Sequence, residues 1–231
     1  IFRAIKPLKI RWASQASLTS ATDPQFLDEM AESGCIAAVI GIESTNPATL
    51  QKMNKGWSNR LGEIDKLLQA YRQRGIMVYA TFVFGYPHDT VNSISETVDF
   101  ALAQKFFMAN FNMLQPFPGT PIYEELRAQN RLIFPKWWID QDYRWELAAF
   151  RPENMTPEEL SQSVSRARQR FNSFSGIFRR AGDLSANFSS PFKALLFMAA
   201  NLISRRDISK KTRMKPGFSN CELLTTRAEL K

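Results

Sequence analysis

The chain has 231 residues, 44% hydrophobic and 23% charged, which suffices for one sizeable domain with a real core and is ordinary for a globular protein. Its longest apolar run, Ala194 to Ile203, falls far short of the ~20 residues of a membrane span, and no apolar leader with a cleavage site opens it, so a soluble, cytoplasmic protein is expected. Two distant cysteines, Cys35 and Cys221, make neither a disulfide framework nor a metal motif.

The net charge of +8 is lopsided. Residues 1–160 carry 16 basic and 18 acidic side chains, whereas residues 161–231 carry 14 and 4. A basic C-terminal third could meet an acidic membrane surface or a nucleic acid. A solvated helical tail is the simpler reading, and nucleic acid is disfavoured because the tail alone speaks for it.

The elements follow in order. Trp12 to Ser17 alternates and reads as a short strand. Asp23 caps a helix with Pro24 at its first position and Phe26, Leu27, Met30 and Ala31 as its stripe, and Gly34 stops it. Cys35 to Ile42 is a continuous apolar run, the pattern of a strand buried on both faces. A short helix over Pro47–Met53 and a longer one from about Asn59 to Gln73 precede the apolar strand Ile76–Phe84. A helix over Thr90–Gln104, a fourth strand over Met108–Leu114 and a helix over Pro121–Gln129 complete the alternation, which predicts parallel βαβ units. Beyond residue 130 the pattern changes. Trp137, Trp138, Tyr143, Trp145 and Phe150 crowd an irregular stretch, read as glue holding the C-terminal segment over the sheet rather than as a stacking site. Thr156, Pro157 and Glu159 form a capping box for a helix running towards Phe174. Another apolar helix spans Pro191 to Ser204 and ends in Arg205 and Arg206. It would suit packing against a further part of the protein, or a bilayer surface. The expected divisions are 1–130, a parallel β/α unit; 131–155, the aromatic connector; 156–209, a basic helical extension; and 210–231, a flexible tail.

In parallel β/α folds the chemistry sits at the C-terminal ends of the strands. Those ends carry Gln15 and Ser17; Gly41, Glu43 and Ser44; Gly85, Tyr86, Pro87, His88 and Asp89; and Asn112, Gln115 and Pro116. Glu43 stands out, because a carboxylate closing a buried strand needs a partner or a ligand. His88, the only histidine, reads as a loop residue bonded locally. A catalytic lysine at a strand end or a glycine-rich phosphate loop would mark another class of barrel, and neither is present.

Trp12-Ala13-Ser14-Gln15-Ala16-Ser17, Glu32-Ser33-Gly34-Cys35, Gly41-Ile42-Glu43-Ser44, Phe82-Val83-Phe84-Gly85-Tyr86-Pro87 and Pro116-Phe117-Pro118-Gly119-Thr120-Pro121 stand in the order of radical S-adenosylmethionine (SAM) proteins. Over residues 10–130 the chain resembles that superfamily, and most of all the branch that often carries an N-terminal cobalamin-binding domain. The resemblance implies an α/β fold, a partial (β/α)6 TIM-like barrel of which this chain supplies strands three to six, followed by a C-terminal helical extension. It implies SAM as cofactor and a [4Fe-4S] cluster whose CxxxCxxC loop is not in this chain, with cobalamin an option through an N-terminal domain. On this reading the chain is a fragment whose partner is a missing N-terminal half, and alone it neither holds the cluster nor turns over. Such enzymes generate a 5′-deoxyadenosyl radical that modifies an organic substrate, here a small or lipid-like molecule. By position, Glu43 and Ser44 would bond the ribose or amino group. Gly85 would border the adenine, with Tyr86 and Pro87 shaping that wall. Gln115 and Pro116 would line the far side, and Gln15 and Ser17 would face cofactor or substrate. The missing cysteine triplet equally admits a truncated or non-catalytic module of the same fold.

Overall fold

A computed structural model describes residues 1–53 and 64–211, with side chains to residue 208. Four strands, β1 (Trp12–Ala16), β2 (Cys35–Glu43), β3 (Met77–Phe84) and β4 (Met108–Met113), form one sheet in the order β1-β2-β3-β4, every pair parallel. The helices are α1 (Phe2–Ile5), α2 (Pro24–Glu32), α3 (Pro47–Lys52), α4 (Ile64–Gln73), α5 (Val91–Ala103), α6 (Pro121–Ala128), α7 (Pro157–Phe171), α8 (Phe174–Ala181) and α9 (Pro191–Lys211). The expected start of the second helix at 59–63 and the expected tail from 212 lie outside the described residues.

Capping chemistry sets several helix starts. Asp23 accepts the Phe26 N–H, Asn46 those of Ala48 and Thr49, and Thr120 that of Tyr123, each with proline at the first helical turn. The capping box of Thr156 and Glu159 forms as the sequence predicts. The helix it opens ends at Phe171, not Phe174, because Ser173 accepts the Gly176 N–H and starts α8. α9 runs past Ser204 to Lys211, since no glycine or proline stops it.

One face of the sheet is packed. Ala38, Ile40 and Ile42 of β2, Val78, Ala80, Phe82 and Phe84 of β3 and Ala109 and Phe111 of β4 are buried in a core shared with Leu27, Leu68, Val98, Leu160 and Phe171 of the helices. Stacking of Phe111 on Phe82, with centroids 5.5 Å apart, ties β3 to β4. The other face alternates with the first. Its lower layer, Ala37 and Met77 with Phe107 just before β4, is apolar and packs against Ile177, Ala186 and Phe197 from α8, α9 and the loop between them. Its upper layers mix the polar Gln15, Tyr79, Thr81, Asn110 and Asn112 with Val39, Val83 and Met108.

The outer edge of β4 is closed by side chains. The Phe111 carbonyl accepts from Arg168 Nε at 2.8 Å, and the Phe107 carbonyl from Arg180 Nη1 at 3.0 Å and Asn201 Nδ2 at 3.1 Å. A bare sheet edge is a template for wrong pairing, and these donors cover it. β1, at the other edge, exposes Ala13, Ser14 and Gln15.

Candidate functional site

The strand register places Gln15, Val39, Tyr79 and Met108 side by side on the half-open face, and Gly41, Thr81 and Asn110 in the next layer towards the strands' C-terminal ends. Val83 and Asn112 follow. Asn110 and Asn112 are exposed, and burial raises the pKa of the Tyr79 phenol while the neighbouring Asn110 amide works against that rise.

At the end of β2 the chain kinks. The register with β3 shifts between Gly41 and Glu43, the Ser44 N–H donates to the Ile42 carbonyl at 2.9 Å, and Glu43 takes a left-handed φ of 69°. A bulge re-aims a side chain, and a non-glycine residue in this region carries strain of the kind that gathers at ligand sites. Here the kink folds the Glu43 carboxylate back over Gly41. A Cβ on residue 41 would lie 2.4 Å from Glu43 Oε1 and 3.7 Å from Thr81 Oγ1, so glycine makes room for the carboxylate.

At the end of β3 the turn from Gly85 to Asp89 is built around a buried acid. Asp89, 2% exposed, accepts the N–H groups of Gly85 at 2.8 Å and Tyr86 at 3.0 Å and the Thr49 hydroxyl at 3.0 Å. Burial raises its pKa against the pull of those three hydrogen bonds. The same turn meets the β2–α3 loop again where Asn46 Nδ2 donates to the His88 carbonyl at 3.1 Å. Tyr86 is half-buried and its phenol is pushed up by burial and then by the charges of Glu43 and Asp89, which places it within electrostatic reach of both.

The structure therefore brings Gly41, Glu43 and Thr81 together at one end of the open face, while Tyr86 packs against the core with its phenol within reach of the Glu43 charge. The other expected residues have varied surroundings. Gln15 is exposed on the same face one layer below Gly41. Ser17 caps a 3-10 turn over Leu18–Thr22 and bonds the Thr19 hydroxyl at 2.7 Å. Ser44 is buried and accepts the Asn46 N–H. Gly85 has φ 110°, and a Cβ there would meet Phe150 Cζ at 2.9 Å and Leu160 Cδ2 at 3.1 Å, so packing and backbone account for this glycine. The Pro87 carbonyl accepts from Asn154. Gln115 Oε1 accepts from the Tyr143 hydroxyl at 3.2 Å while its buried Nε2 has no partner, and the Pro116 carbonyl accepts from Trp137 Nε1 at 2.9 Å. The half-buried Trp137 thus fastens the connector over the β4 end, while Trp138 and Trp145 are 40% and 46% exposed.

Sequence reasoning passed over Tyr79, Thr81, Asn110 and Arg168. The signal was present as period-two polar positions in Tyr79-Ala80-Thr81 and Asn110-Phe111-Asn112. Cys35 is buried, and desolvation pushes its thiol up to about 11. Among the described residues no group of three His, Cys, Asp or Glu side chains could hold a metal ion, and no helix is long and apolar enough to cross a membrane.

No family model matches the chain. Among curated proteins, bacteriochlorophyllide d C-12(1)-methyltransferase of Chlorobaculum tepidum is 29% identical over 180 residues, 78% of this chain and 38% of that protein. Bacteriochlorophyllide d C-8(2)-methyltransferase of the same organism is 29% identical over 133 residues, 58% of this chain and 30% of that protein. Anaerobic magnesium-protoporphyrin IX monomethyl ester cyclase of Cereibacter sphaeroides is 25% identical over 74% of this chain and 27% of its own length. A solved structure of the radical SAM methyltransferase TsrM from Kitasatospora setae, with cobalamin and a [4Fe-4S] cluster bound, aligns with 70% of this chain and 31% of that one at 20% identity and a TM-score of 0.48. The chain is related to the radical SAM superfamily. It spans about a third of the length of the curated relatives it matches.

Proposed function

We propose that the chain is part of a radical SAM enzyme of methyltransferase or cyclase type, and that its strands are strands three to six of a partial six-stranded β/α barrel with α7–α9 as a C-terminal extension. The closed edge of β4 and the exposed β1 support this placement, because further strands could add only beside β1. The division into 1–130, 131–155, 156–209 and 210–231 belongs to the same reading, as does a partner half that completes the barrel beside β1.

The single observation that carries the reading is the kinked end of β2, which presents the Glu43 carboxylate above Gly41 beside Tyr86. A carboxylate there suits the hydroxyls and ammonium group of SAM, which it can accept from. When bound, SAM supplies a sulfonium whose cleavage yields the reactive species. The residues of this chain orient the nucleoside and shield it from water. Glu43 accepts its hydrogen bonds, Tyr86 forms a wall beside it, and Gln115 Nε2 has an unused proton for an acceptor at the β4 end.

The cluster does not fit this chain. Cys35 is buried and protonated, at the start of β2 rather than at its C-terminal end, and no other described cysteine stands beside it. On this reading the cluster ligands belong to residues outside the chain. Cobalamin is likewise an expectation of the resemblance alone.

Equilibrium dialysis of the chain against SAM tests the reading. Glu43→Gln should weaken binding about tenfold or more, the scale of a lost charge-assisted hydrogen bond. Equal binding by wild type and variant would overturn it. Iron and sulfide analysis after anaerobic reconstitution should find no stoichiometric cluster on this chain.

A further inference from the structure

A cavity of about 510 Å³ opens beside β4, between the half-open face of the sheet, the loop at Trp145, α7 and α9. That volume lies within the usual range for small-molecule sites, which are concave, mostly apolar and carry a few placed polar groups. We propose that it receives the substrate, and that the substrate is a rigid, largely apolar ring system bearing carbonyl or hydroxyl groups. The assignment rests on the enzyme reading above and specifies its substrate class.

Three features of the wall carry it. First, Asn110 and Asn112 point from one strand to the same side, two residues apart, hence about 7 Å along β4. Both are exposed, and an amide can donate and accept, so the pair matches two carbonyl or hydroxyl groups at that spacing on a stiff ligand. The Tyr79 phenol beside Asn110 extends the same polar strip.

Second, the opposite wall offers apolar surface to the cavity. Trp145 is 46% exposed and Ile203 62% exposed, both lining it. An indole face and an isoleucine side chain favour a flat or rigid hydrocarbon body over a flexible polar one.

Third, the charged side chains of the described lining offer an anionic ligand no free partner. Arg168, the basic residue among the described lining, is bound to Glu146 at 2.6 Å and to the Phe111 carbonyl, with both partners of the pair mostly buried. Asp207 is the other charged group of that wall, so the lining adds no spare cation for a phosphate. Glu146 is held at φ 75°, a strained position that fixes the pair. The matched relatives include proteins named for a chlorin, for a hopanoid and for a cytidylyl phosphonate. The chemistry of this wall selects the ring class and rejects the nucleotide.

The test titrates the full chain with protoporphyrin IX dimethyl ester, which carries the carbonyls without the charge, with a hydroxylated hopanoid and with cytidine monophosphate, following tryptophan fluorescence and, for the porphyrin, its absorbance. Tetrapyrrole and triterpenoid are the two sources of a rigid apolar ring, and their relative affinities identify which one is used. At least one ring probe should bind, while cytidine monophosphate should neither bind nor displace it. Trp145→Ala and the pair Asn110→Ala with Asn112→Ala should each weaken ring binding about tenfold. Trp138→Ala, an exposed tryptophan outside this cavity, should leave it unchanged. Binding of cytidine monophosphate that the Asn pair abolishes, no ring binding, or equal losses from Trp138→Ala and Trp145→Ala would each overturn the proposal. The SAM dialysis separates it from the reading beneath it. A chain that binds SAM but no ring has lost only this cavity's assignment, and one that binds the ring but not SAM has lost the enzyme reading.

Discussion

The Asp89 carboxylate accepts the Gly85 N–H at 2.8 Å in a site where the acid is almost wholly buried. Its other two donors, the Tyr86 N–H and the Thr49 hydroxyl, come from the same turn and from α3. One side chain therefore ties the end of β3 to the helix that follows β2, and so fixes Tyr86 relative to Glu43. Removing it strands three donors. Asp89→Ala should cost about 3 kcal/mol, at one to three per buried unsatisfied group with partial relaxation. Asp89→Asn, which keeps an acceptor, should cost less. Urea denaturation measures both, and equal losses would refute the role of the acceptor.

The same carboxyl predicts a pH dependence. Burial raises its folded-state pKa above the ordinary 3.8, so the folded state holds this proton more tightly than the unfolded chain. Its contribution to stability is then fully present below pH 3.8 and is lost as pH rises through the raised value. Asp89→Asn should remove that loss. The urea midpoint of wild type minus that of the variant should fall with pH across this acidic window and level off above it. A difference that rises with pH there would show a depressed pKa instead.

Gly85 makes a separate prediction. Its φ of 110° and the contacts awaiting a Cβ, at 2.9 Å to Phe150 and 3.1 Å to Leu160, put strain and overpacking on any side chain. Gly85→Ala should destabilise by about 2–3 kcal/mol. Truncating the obstacle with Phe150→Leu should make the alanine less costly than it is in the wild-type background, which a double-mutant cycle would register. Additive losses would mean that backbone conformation alone demands the glycine.

Cys35 shows how burial governs thiol chemistry. Desolvation pushes its pKa up to about 11, so at pH 8 almost none of it is thiolate. Iodoacetamide at pH 8 should leave Cys35 unmodified in the native protein and label it after unfolding in urea, as read by peptide mass analysis. Rapid native labelling would contradict the buried position.

How much of this was legible in the sequence depended on the length scale of the signal. β2 and β3 announced themselves as apolar runs between turn residues, and the capping box at Thr156 and the prolines marked helix starts where they fell. α1 was invisible because four residues carry no periodicity, yet Phe2 stacks on Trp12 at 5.7 Å and meets Phe26 edge-on, which keeps Phe26 against the fold although it is 38% exposed. Glu43 was legible as an anomaly, a charge closing a buried strand. Its left-handed φ was not, because a bulge arises from pairing between strands rather than from local sequence. Asp89 stood at a strand end by position alone. Its three bonds needed the turn to close on α3.

Arg180 is the extreme case of a role that no sequence pattern gives. In the sequence it is one of two consecutive arginines in a basic segment, and in the fold Arg179 is exposed while Arg180 has no exposure at all. Its guanidinium donates to the carbonyls of Phe106, Phe107, Phe171 and Gly176 and to Asn201 Oδ1, and lies 3.8 Å from the centre of the Phe171 ring. No carboxylate appears among these partners, and desolvation lowers its pKa to about 9, which still leaves it charged at neutral pH. The cation is held by carbonyl dipoles and an aromatic face, and through them it pins α8 and α9 to the start of β4. Arg180→Met should abolish those bonds and leave several carbonyls bare, at a cost of about 3–5 kcal/mol. Arg180→Lys should fail nearly as badly, because one ammonium cannot reach acceptors arranged around a planar fork. The linkage runs opposite to that of Asp89. The folded pKa lies well below that of a free guanidinium, so the penalty for burying the charge is constant below about pH 9 and is relieved as pH rises beyond it. Wild type should therefore gain stability relative to Arg180→Met above pH 9, and hydrogen exchange in the variant should speed up first in α8 and α9. Rapid exchange beginning instead in α2 or β1 would show that the arginine does not hold the extension in place.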